Sequence, residues 1–225
     1  MNAEGLIRFQ VQQDRSPGCQ EVDIIELEKW RCELRRLGLV GCDPARYDGF
    51  GFGNLSRRMR DGTFLITGSQ TGVLASLSAA EYVRITESEP RLNHVCAQGL
   101  CRPSSEFLTH LAAYTANPKI YYVFHVHSPE IWNGRDRLGI PMTGPSIECG
   151  TVEMFEAVRA LLAEPVNDEK GILAMAGHLD GILAWGETAD ETGNRLLGFL
   201  SRAAEVNPPP VNAESPAYLS SVPAM

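Results

Sequence analysis

The chain has 225 residues, of which 44% are hydrophobic, and a formal net charge of -8. The negative charge argues against nucleic acid or an anionic membrane surface as the main partner. No run of about 18 apolar residues predicts a membrane span, and the N-terminus lacks the pattern of a secretory signal. The six cysteines are scattered, which predicts reduced thiols in a cytoplasmic protein.

The order of predicted elements indicates one α/β domain over residues 21–205, preceded by a polar arm over 1–20 and followed by a proline-rich tail over 206–225. Residues 129–146 contain several prolines and glycines and are expected to be mostly loop. Tight turns join several strands, which parallel strands cannot use, so we expect a mainly antiparallel or mixed sheet. Apolar spacing predicts helices over 22–39, 104–117, from Thr151 and over 187–204, and strands over 54–59, 63–67, 82–85, 120–124, 171–175 and 182–185.

Two histidines, His125 and His127, stand at the end of an apolar strand. Residues i and i+2 of a strand point to the same face, so the two imidazoles leave the sheet side by side. His178 follows another predicted strand, and three imidazoles leave a fourth position open, as in catalytic zinc sites. The pattern predicts a site for Zn²⁺, or for Co²⁺, Mn²⁺ or Ni²⁺. The alternative is that His178 is a turn residue and the pair an ordinary polar strand edge.

Glu106 closes the sequence Arg102-Pro103-Ser104-Ser105, which is typical of a helix start with Ser104 as the cap. One interpretation is a first-turn carboxylate that complements the helix dipole. The other is a general acid/base facing the metal. His110 follows four residues later on the same face. It is interpreted mainly as a packed structural histidine, with a hydrogen bond to Glu106 or support of a metal ligand as the alternatives.

Three short loops combine small residues with a hydroxyl or amide side chain: Gly53-Asn54, Thr71-Gly72 and Ser104-Ser105. Exposed backbone N–H groups and a helix N-terminus favour an anion, so together the loops predict a phosphate site. Each loop alone is an ordinary turn. Nearby positive charge from Arg57, Arg58 and Arg102 is expected either to strengthen the site or simply to be solvated.

Taken in order, these motifs resemble the class II aldolase/adducin family over about residues 22–204: Gly53-Asn54-Leu55-Ser56-Arg57, Ile66-Thr67 with Thr71-Gly72, Pro103-Ser104-Ser105-Glu106, His125-Val126-His127 and His178. The resemblance implies a three-layer α/β/α fold with a central sheet, commonly in a homotetramer. It also implies that His125, His127 and His178 bind zinc and that Glu106 is the acid/base. The phosphate binders it implies are Gly53, Asn54, Thr71, Gly72, Ser104 and Ser105.

By this resemblance we expect a zinc-dependent, aldolase-type lyase of carbohydrate metabolism. Its expected substrate is a small hydroxy-carbonyl compound, such as a sugar phosphate, which reacts through a metal-stabilised enediolate. The alternatives are an epimerase or dehydratase with the same site, and a non-catalytic domain like the adducin head. The tyrosine that protonates the leaving aldehyde in the aldolases has no counterpart between Ser128 and Gly150, where Trp132 and Glu148 stand. Tyr218, in the tail, is a candidate from a neighbouring subunit.

Overall fold

The computed structural model describes residues 9–92 and 94–206. Six α-helices are found there: α1 (Glu21–Arg36), α2 (Phe107–Ala116), α3 (Pro129–Gly134), α4 (Val152–Leu162), α5 (Pro165–Lys170) and α6 (Ala189–Val206). The strands are β1 (Gln10–Asp14), β2 (Gly41–Cys42), β3 (Gly51–Phe52), β4 (Asn54–Arg58), β5 (Phe64–Thr67), β6 (Tyr82–Glu89), β7 (His94–Gln98), β8 (Tyr122–His127), β9 (Ile172–Ala174) and β10 (Gly181–Gly186).

One eight-stranded sheet forms the centre of the fold, with strand order β1-β7-β6-β5-β4-β8-β10-β9. The β1–β7 pair is parallel, and the other neighbours in this sheet are antiparallel. The predicted mixed sheet is therefore confirmed. Because β8 lies between β4 and β10, its residues from Tyr122 to His125 pair on both sides, while His127 pairs with β10 and donates its N–H to Leu39 O. The His125-Val126-His127 segment is thus built into the interior of the sheet.

Alternating side chains of the sheet fill two hydrophobic layers, one on each face. On one face, Phe124 and Val126 pack in the same core as α1 and α6, through residues such as Leu27 and Leu196. On the other face, Val123 packs in a second core with residues of α2 and α4. Side chains of a strand alternate in direction, so His125 and His127 share the face of Val123. The fold is a three-layer α/β/α arrangement, and the histidines face the α2–α4 layer.

The close packing of α1 on α6 depends on one glycine. A Cβ atom built on Gly193 would lie 2.2 Å from Trp30 ring carbons, well inside van der Waals contact. Trp30 also donates its indole N–H to Asp190 at the start of α6. These contacts hold the outer helix layer against the sheet, so β8 is supported from the face opposite the histidines.

Three parts of the chain differ from the sequence prediction. The arm predicted over residues 1–20 is wrong for Gln10–Asp14, which forms β1 by pairing with β7, a strand that was not predicted. The stretch 129–146, predicted as mostly loop, begins with α3, because Ser128 Oγ accepts from Ile131 N and Pro129 occupies the first helical turn. The short helix α5 was also not predicted.

The start of α2 differs in detail. Ser104 was predicted as its cap, but Glu106 is the N-cap residue, and Ser104 Oγ accepts from the Glu106 N–H over 3.3 Å. Residues 207–225, including Tyr218, lie outside the described residues. Within the described ranges, no helix combines the length and the apolar character that crossing a bilayer requires.

Candidate metal centre and adjoining polar cleft

The three predicted metal ligands come from two neighbouring parts of the sheet. His125 and His127 lie on β8, and His178 lies in the turn between β9 and β10. That turn is fixed by its own backbone, since His178 N donates to Met175 O and Gly181 N donates to His178 O. Because β10 pairs with β8, Gly181 stands opposite His127, which brings His178 over the pair. The sheet register, more than any loop, sets the geometry of the three rings.

The three imidazoles converge through their Nε2 atoms. His178 Nε2 lies 3.2 Å from His125 Nε2 and 3.1 Å from His127 Nε2. Tetrahedral bonds of about 2.0–2.1 Å to one zinc ion would separate ligand nitrogens by about 3.3–3.4 Å, so the spacing fits a single ion. His125 Nδ1 donates to Ile182 O, which leaves the lone pair of that ring on Nε2, the nitrogen that faces the other rings.

Burial keeps these rings ready to act as neutral ligands. It lowers the pKa of His127 to about 3 in the absence of an ion. Burial also lowers the pKa of His178 well below the ordinary histidine value, and the nearby His127 and His125 lower it further. A metal ligand must carry a free lone pair, so the depressed pKa values suit cation binding near neutral pH.

A second set of residues, missed at the sequence level, surrounds His127. The ring of Tyr47 meets the His127 ring edge-on at a centroid distance of 4.5 Å, and Phe52 lies 5.5 Å away. Tyr47 Oη donates to Asp180 Oδ2 and accepts from Arg46. Burial raises the pKa of the Tyr47 hydroxyl, so this hydrogen bond keeps its proton on the tyrosine. No local pattern indicates this set, since residues 46–48 lie far from the histidines along the chain.

Glu106 is buried beside the histidines. Its Oε2 accepts from Thr109 Oγ1 over 3.0 Å. A carboxylate oxygen of Glu106, the thiol of Cys149 and a nitrogen of His178 all lie within 4.8 Å of one another. Cys149, one of the six scattered cysteines, is buried. Its place beside Glu106 could not be predicted, because it depends on the loop before α4.

The six predicted phosphate binders line one cleft, together with Glu106: Gly53, Asn54, Thr71, Gly72, Ser104 and Ser105. Gly51, Gly68, Ser69 and Gln70 complete its lining. The last three belong to the same loop as Thr71, which was the available signal for them. The cleft and the histidines share Glu106 and adjoin along the sheet, because Asn54 on β4 pairs with His125 on β8.

Two glycines are required where the loops of the cleft approach each other. Gly53 has φ of +73°, and an added Cβ would lie 2.6 Å from Val40 Cγ1. An added Cβ at Gly72 would lie 2.1 Å from Gly41 O. Any side chain at either position would push the backbone apart, so glycine is what allows the N–H groups of these loops to surround a small volume.

The polar groups of the cleft are partly fixed by the loops themselves. Thr71 Oγ1 donates to Gly68 O, so in this arrangement it can only accept. Gln70 Oε1 accepts from Gly51 N and fixes the rim of the cleft. The arginines predicted as possible sources of charge do not line it: Arg57 donates to Asp23 O and Arg58 donates to Pro118 O. Among the described residues, the cleft is therefore lined by backbone, hydroxyl and amide groups and by the Glu106 carboxylate, and by no arginine or lysine.

His110 lies behind the cleft and is fully buried. Its Nε2 lies 2.5 Å from Asn54 Oδ1, and its Nδ1 lies 2.6 Å from Ser56 Oγ. Ser56 Oγ in turn lies 2.6 Å from Tyr114 Oη. The prediction of a packed histidine is confirmed. Both ring nitrogens bond to strand β4, whereas the sequence suggested Glu106 as a partner.

The chain combines three converging histidines in an α/β/α fold with a buried carboxylate and an adjoining polar cleft, and these features can be compared with known proteins. The profile of the family described as "Class II Aldolase and Adducin N-terminal domain" matches residues 43–207. The chain belongs to this family. The predicted resemblance and fold are thus confirmed. A comparison with curated proteins gave no match.

Three solved structures illustrate the likeness of fold. YgbL from Escherichia coli, described as a candidate aldolase, epimerase or decarboxylase, has a TM-score of 0.62 and 18% identity, over 83% of this chain and 88% of that one. An L-fuculose-1-phosphate aldolase from Thermus thermophilus has a TM-score of 0.54 and 20% identity, over 80% of this chain and 90% of that one. A sugar-phosphate aldolase from Thermotoga maritima has a TM-score of 0.56 and 18% identity, over 80% of this chain and 91% of that one. At these identities the likeness establishes the fold.

Proposed function

We propose that the chain is a divalent-metal-dependent lyase of the aldolase type that acts on a small phosphorylated hydroxy-carbonyl compound. The observation that carries the proposal is the convergence of three buried imidazole nitrogens, 3.1 and 3.2 Å apart, beside the buried carboxylate of Glu106. Three neutral imidazoles at this spacing fit Zn²⁺, which is our first choice, and Co²⁺, Mn²⁺ and Ni²⁺ are the alternatives. The ligands would be His125, His127 and His178.

A divalent ion held by these ligands supplies Lewis-acid stabilisation of negative charge on substrate oxygens. The chain's own residues supply the remaining functions. Among the described residues, Glu106 is the carboxylate that lies beside the histidines and also lines the cleft, so it can take up or return a substrate proton. Its hydrogen bond from Thr109 fixes the carboxylate orientation.

The cleft gives the proposed substrate class. Backbone N–H groups of the Gly53, Gly72 and Ser105 segments, with the hydroxyls of Ser104 and Ser105, are suited to a tetrahedral anion. Because Asn54 and His125 are cross-strand neighbours, an anion in the cleft would lie close to the metal ligands. A phosphate ester of a short hydroxy-carbonyl compound has this combination of groups, and burial of the phosphate in the cleft would orient the reacting carbons.

The same site could instead catalyse epimerisation or dehydration of a sugar phosphate. The observation that favours this second candidate is the composition of the cleft, in which no tyrosine is found among the described residues. Tyr47 lies near His127, but its hydroxyl is held by Asp180. The neighbour YgbL, described as a candidate aldolase, epimerase or decarboxylase, is consistent with either chemistry. A non-catalytic role like that of the adducin head is disfavoured by the intact set of three histidines.

Two measurements test the proposal. Elemental analysis of protein purified without chelator is expected to give about one divalent ion per chain, lost in His125→Ala. His94→Ala is the matched control, since His94 lies on β7 away from the site. Protein that folds but binds no ion when supplied in excess would refute the metal centre. Incubation with ketose phosphates then separates cleavage, which releases dihydroxyacetone phosphate and an aldehyde, from epimerisation or dehydration.

Assembly and location are also predictions. By family resemblance we propose a homotetramer in cytoplasmic carbohydrate metabolism, and light scattering of the purified chain would test the tetramer. A small-molecule substrate is consistent with a cleft that closes over a few atoms rather than over a polymer. Neither nucleic acid nor a membrane is proposed as a partner.

A further inference from the structure

Four buried polar side chains form a continuous chain from the cleft into the α2 layer. The order is Asn54, His110, Ser56 and Tyr114, with successive contacts of 2.5, 2.6 and 2.6 Å. Asn54 lines the cleft, whereas His110 and Ser56 have no exposed surface. Each link joins β4 to α2, so the chain of hydrogen bonds also fixes the position of the helix whose N-cap is Glu106.

The direction of these hydrogen bonds follows from the donors that each group carries. Tyr114 has a single hydroxyl hydrogen, and its hydrogen-bond partner in the structure is Ser56 Oγ. With the tyrosine donating, Ser56 must donate its own hydrogen to His110 Nδ1. A neutral histidine then carries its hydrogen on Nε2 and donates it to Asn54 Oδ1. The opposite direction would leave the buried Tyr114 hydroxyl hydrogen without an acceptor, which costs free energy.

Burial supports the protonation states that this direction needs. It lowers the pKa of His110 well below the ordinary histidine value, and the nearby His125 lowers it further, so the ring is neutral near pH 7. Burial raises the pKa of Tyr114, which keeps the hydroxyl hydrogen in place. A cationic His110 would also donate to Asn54 Oδ1. Only the tautomer with its hydrogen on Nδ1 would leave Nε2 as an acceptor. Asn54 would then have to turn its Nδ2–H₂ group toward His110 and its oxygen toward the cleft.

We propose that His110 is a positioning residue that holds Asn54 by its carbonyl oxygen and so directs the Asn54 Nδ2–H₂ group to the cleft as a donor for a bound phosphate. This inference rests on the proposed phosphate-ester substrate and deepens it. The described lining of the cleft includes no lysine or arginine but does include the Glu106 carboxylate, so preference for an anion depends on which way the dipoles of the lining point. A reversed amide would present an oxygen and repel the same ligand.

The tautomer of His110 is a direct test that needs no substrate. In ¹⁵N-histidine-labelled protein near pH 7, two-bond and three-bond ¹⁵N–¹H correlations distinguish a protonated Nε2 from a protonated Nδ1. The His110 signals are assigned by their loss in His110→Gln. We expect hydrogen on Nε2. Hydrogen on Nδ1 would overturn the inference, whatever the enzyme binds.

Binding of inorganic phosphate to the metal-loaded protein tests the consequence. His110→Met removes the donor and is expected to weaken the phosphate Kd by about tenfold or more, the usual effect of losing an oriented hydrogen bond to a charged group. His110→Gln can place an N–H₂ donor near the position of Nε2 and is expected to recover most of that loss. Asn54→Asp, which puts an oxygen in the cleft, should weaken binding at least as much as His110→Met.

A stability control separates positioning from simple damage to α2. Ala112 is fully buried on the same helix and takes no part in the hydrogen-bonded chain. Ala112→Gly is expected to lower Tm while leaving the phosphate Kd within about twofold of wild type. Equal phosphate affinity in His110→Met and wild type would overturn the inference. If wild type itself bound no phosphate, the proposed substrate class would fail, and the tautomer would decide the inference alone.

Discussion

Tyr47 donates its hydroxyl hydrogen to Asp180 Oδ2 over 2.8 Å, and both residues have left-handed backbone conformations, with φ of 50° and 62°. Non-glycine residues in this region are strained by about 1 kcal/mol or more each. The bond ties the loop before β3 to the turn that carries His178. The Asp180 carbonyl also accepts from Ser128 N, directly after His127. The pair therefore braces the turn that carries His178, and the Asp180 carbonyl links that turn to the end of the strand that carries His125 and His127.

Removal of this brace should destabilise the metal-free protein. We expect Tyr47→Phe to lower the free energy of unfolding by about 1 kcal/mol, the usual net value of one partly buried hydrogen bond. Urea denaturation measures it. Tyr121→Phe is the matched control, because Tyr121 is 39% exposed. Equal losses in the two variants would show that the Tyr47–Asp180 bond contributes nothing specific.

The metal-free protein should lose stability already at mildly acidic pH. In the folded state the pKa of His127 is lowered to about 3, and the pKa values of His178 and His110 are lowered well below 6.5. The unfolded chain, with ordinary pKa values, binds more protons between pH 6.5 and 3, so stability falls as pH falls through this window. Each such histidine contributes up to about 1.4 kcal/mol per pH unit. Denaturation curves at pH 7, 6 and 5 measure the slope.

A metal ion would oppose this loss, since it binds the neutral imidazoles of the folded state. The folded ligands with lowered pKa values are still neutral at pH 5, and protons weaken binding only to the unfolded chain, so the stability gained from added Zn²⁺ should be maintained from pH 7 to pH 5. A stability curve that is flat with pH in chelator-treated protein would contradict the buried, neutral state of these rings.

Glu106→Gln should separate chemistry from metal binding. The three histidines remain, so the variant is expected to keep its ion, while turnover of any substrate falls by about 10²–10⁴, the range for loss of a general acid/base. Elemental analysis and a product assay measure the two effects. Glu153→Gln, a change in the first turn of α4, controls for loss of negative charge. Full activity in Glu106→Gln would remove the proposed acid/base role.

Gly72→Ala should separate the loops that form the cleft. Its Cβ would meet Gly41 O at 2.1 Å, so the backbone must shift, at an expected cost of about 1–3 kcal/mol. Gly198→Ala is the control, and it is expected to change stability in the opposite direction. No atom lies within 4 Å of an added Cβ there, and alanine in the middle of α6 should stabilise by about 0.5–1 kcal/mol. A neutral Gly72→Ala would mean that the loops tolerate wider separation.

Local patterns were sufficient for much of the fold and for the histidines. The alternation along β8 predicted that His125 and His127 share a face, and the turn after β9 predicted where His178 would stand. The shared face of the pair is a short-range consequence of strand geometry, whereas the approach of His178 to the pair depends on the pairing of β10 with β8. The cap of α4 was equally local, since Thr151 Oγ1 accepts from Met154 N as its sequence predicts.

What the sequence could not supply depends on contacts between distant segments. Strand β1 forms because its backbone pairs with β7. The mostly polar five-residue stretch Gln10–Asp14 has no strand pattern of its own. Cys149 and Tyr47 reach the centre through loops whose paths are set by tertiary packing. The partners of His110 were missed for the same reason, because Asn54 and Ser56 lie 56 and 54 positions away.

The strand pairing of Asn54 with His125 fixes a distance as well as a contact. Adjacent strands are separated by about 4.8 Å, a spacing imposed by backbone hydrogen bonds. With the proposed anion at Asn54 and the proposed metal ion at His125, this spacing would limit the length of the carbon skeleton that a substrate can have. Changes in surface loops could alter which end groups of a substrate the cleft admits, but they would not change this strand spacing. Tolerance of skeleton length should consequently be narrow, even in variants with a widened entrance.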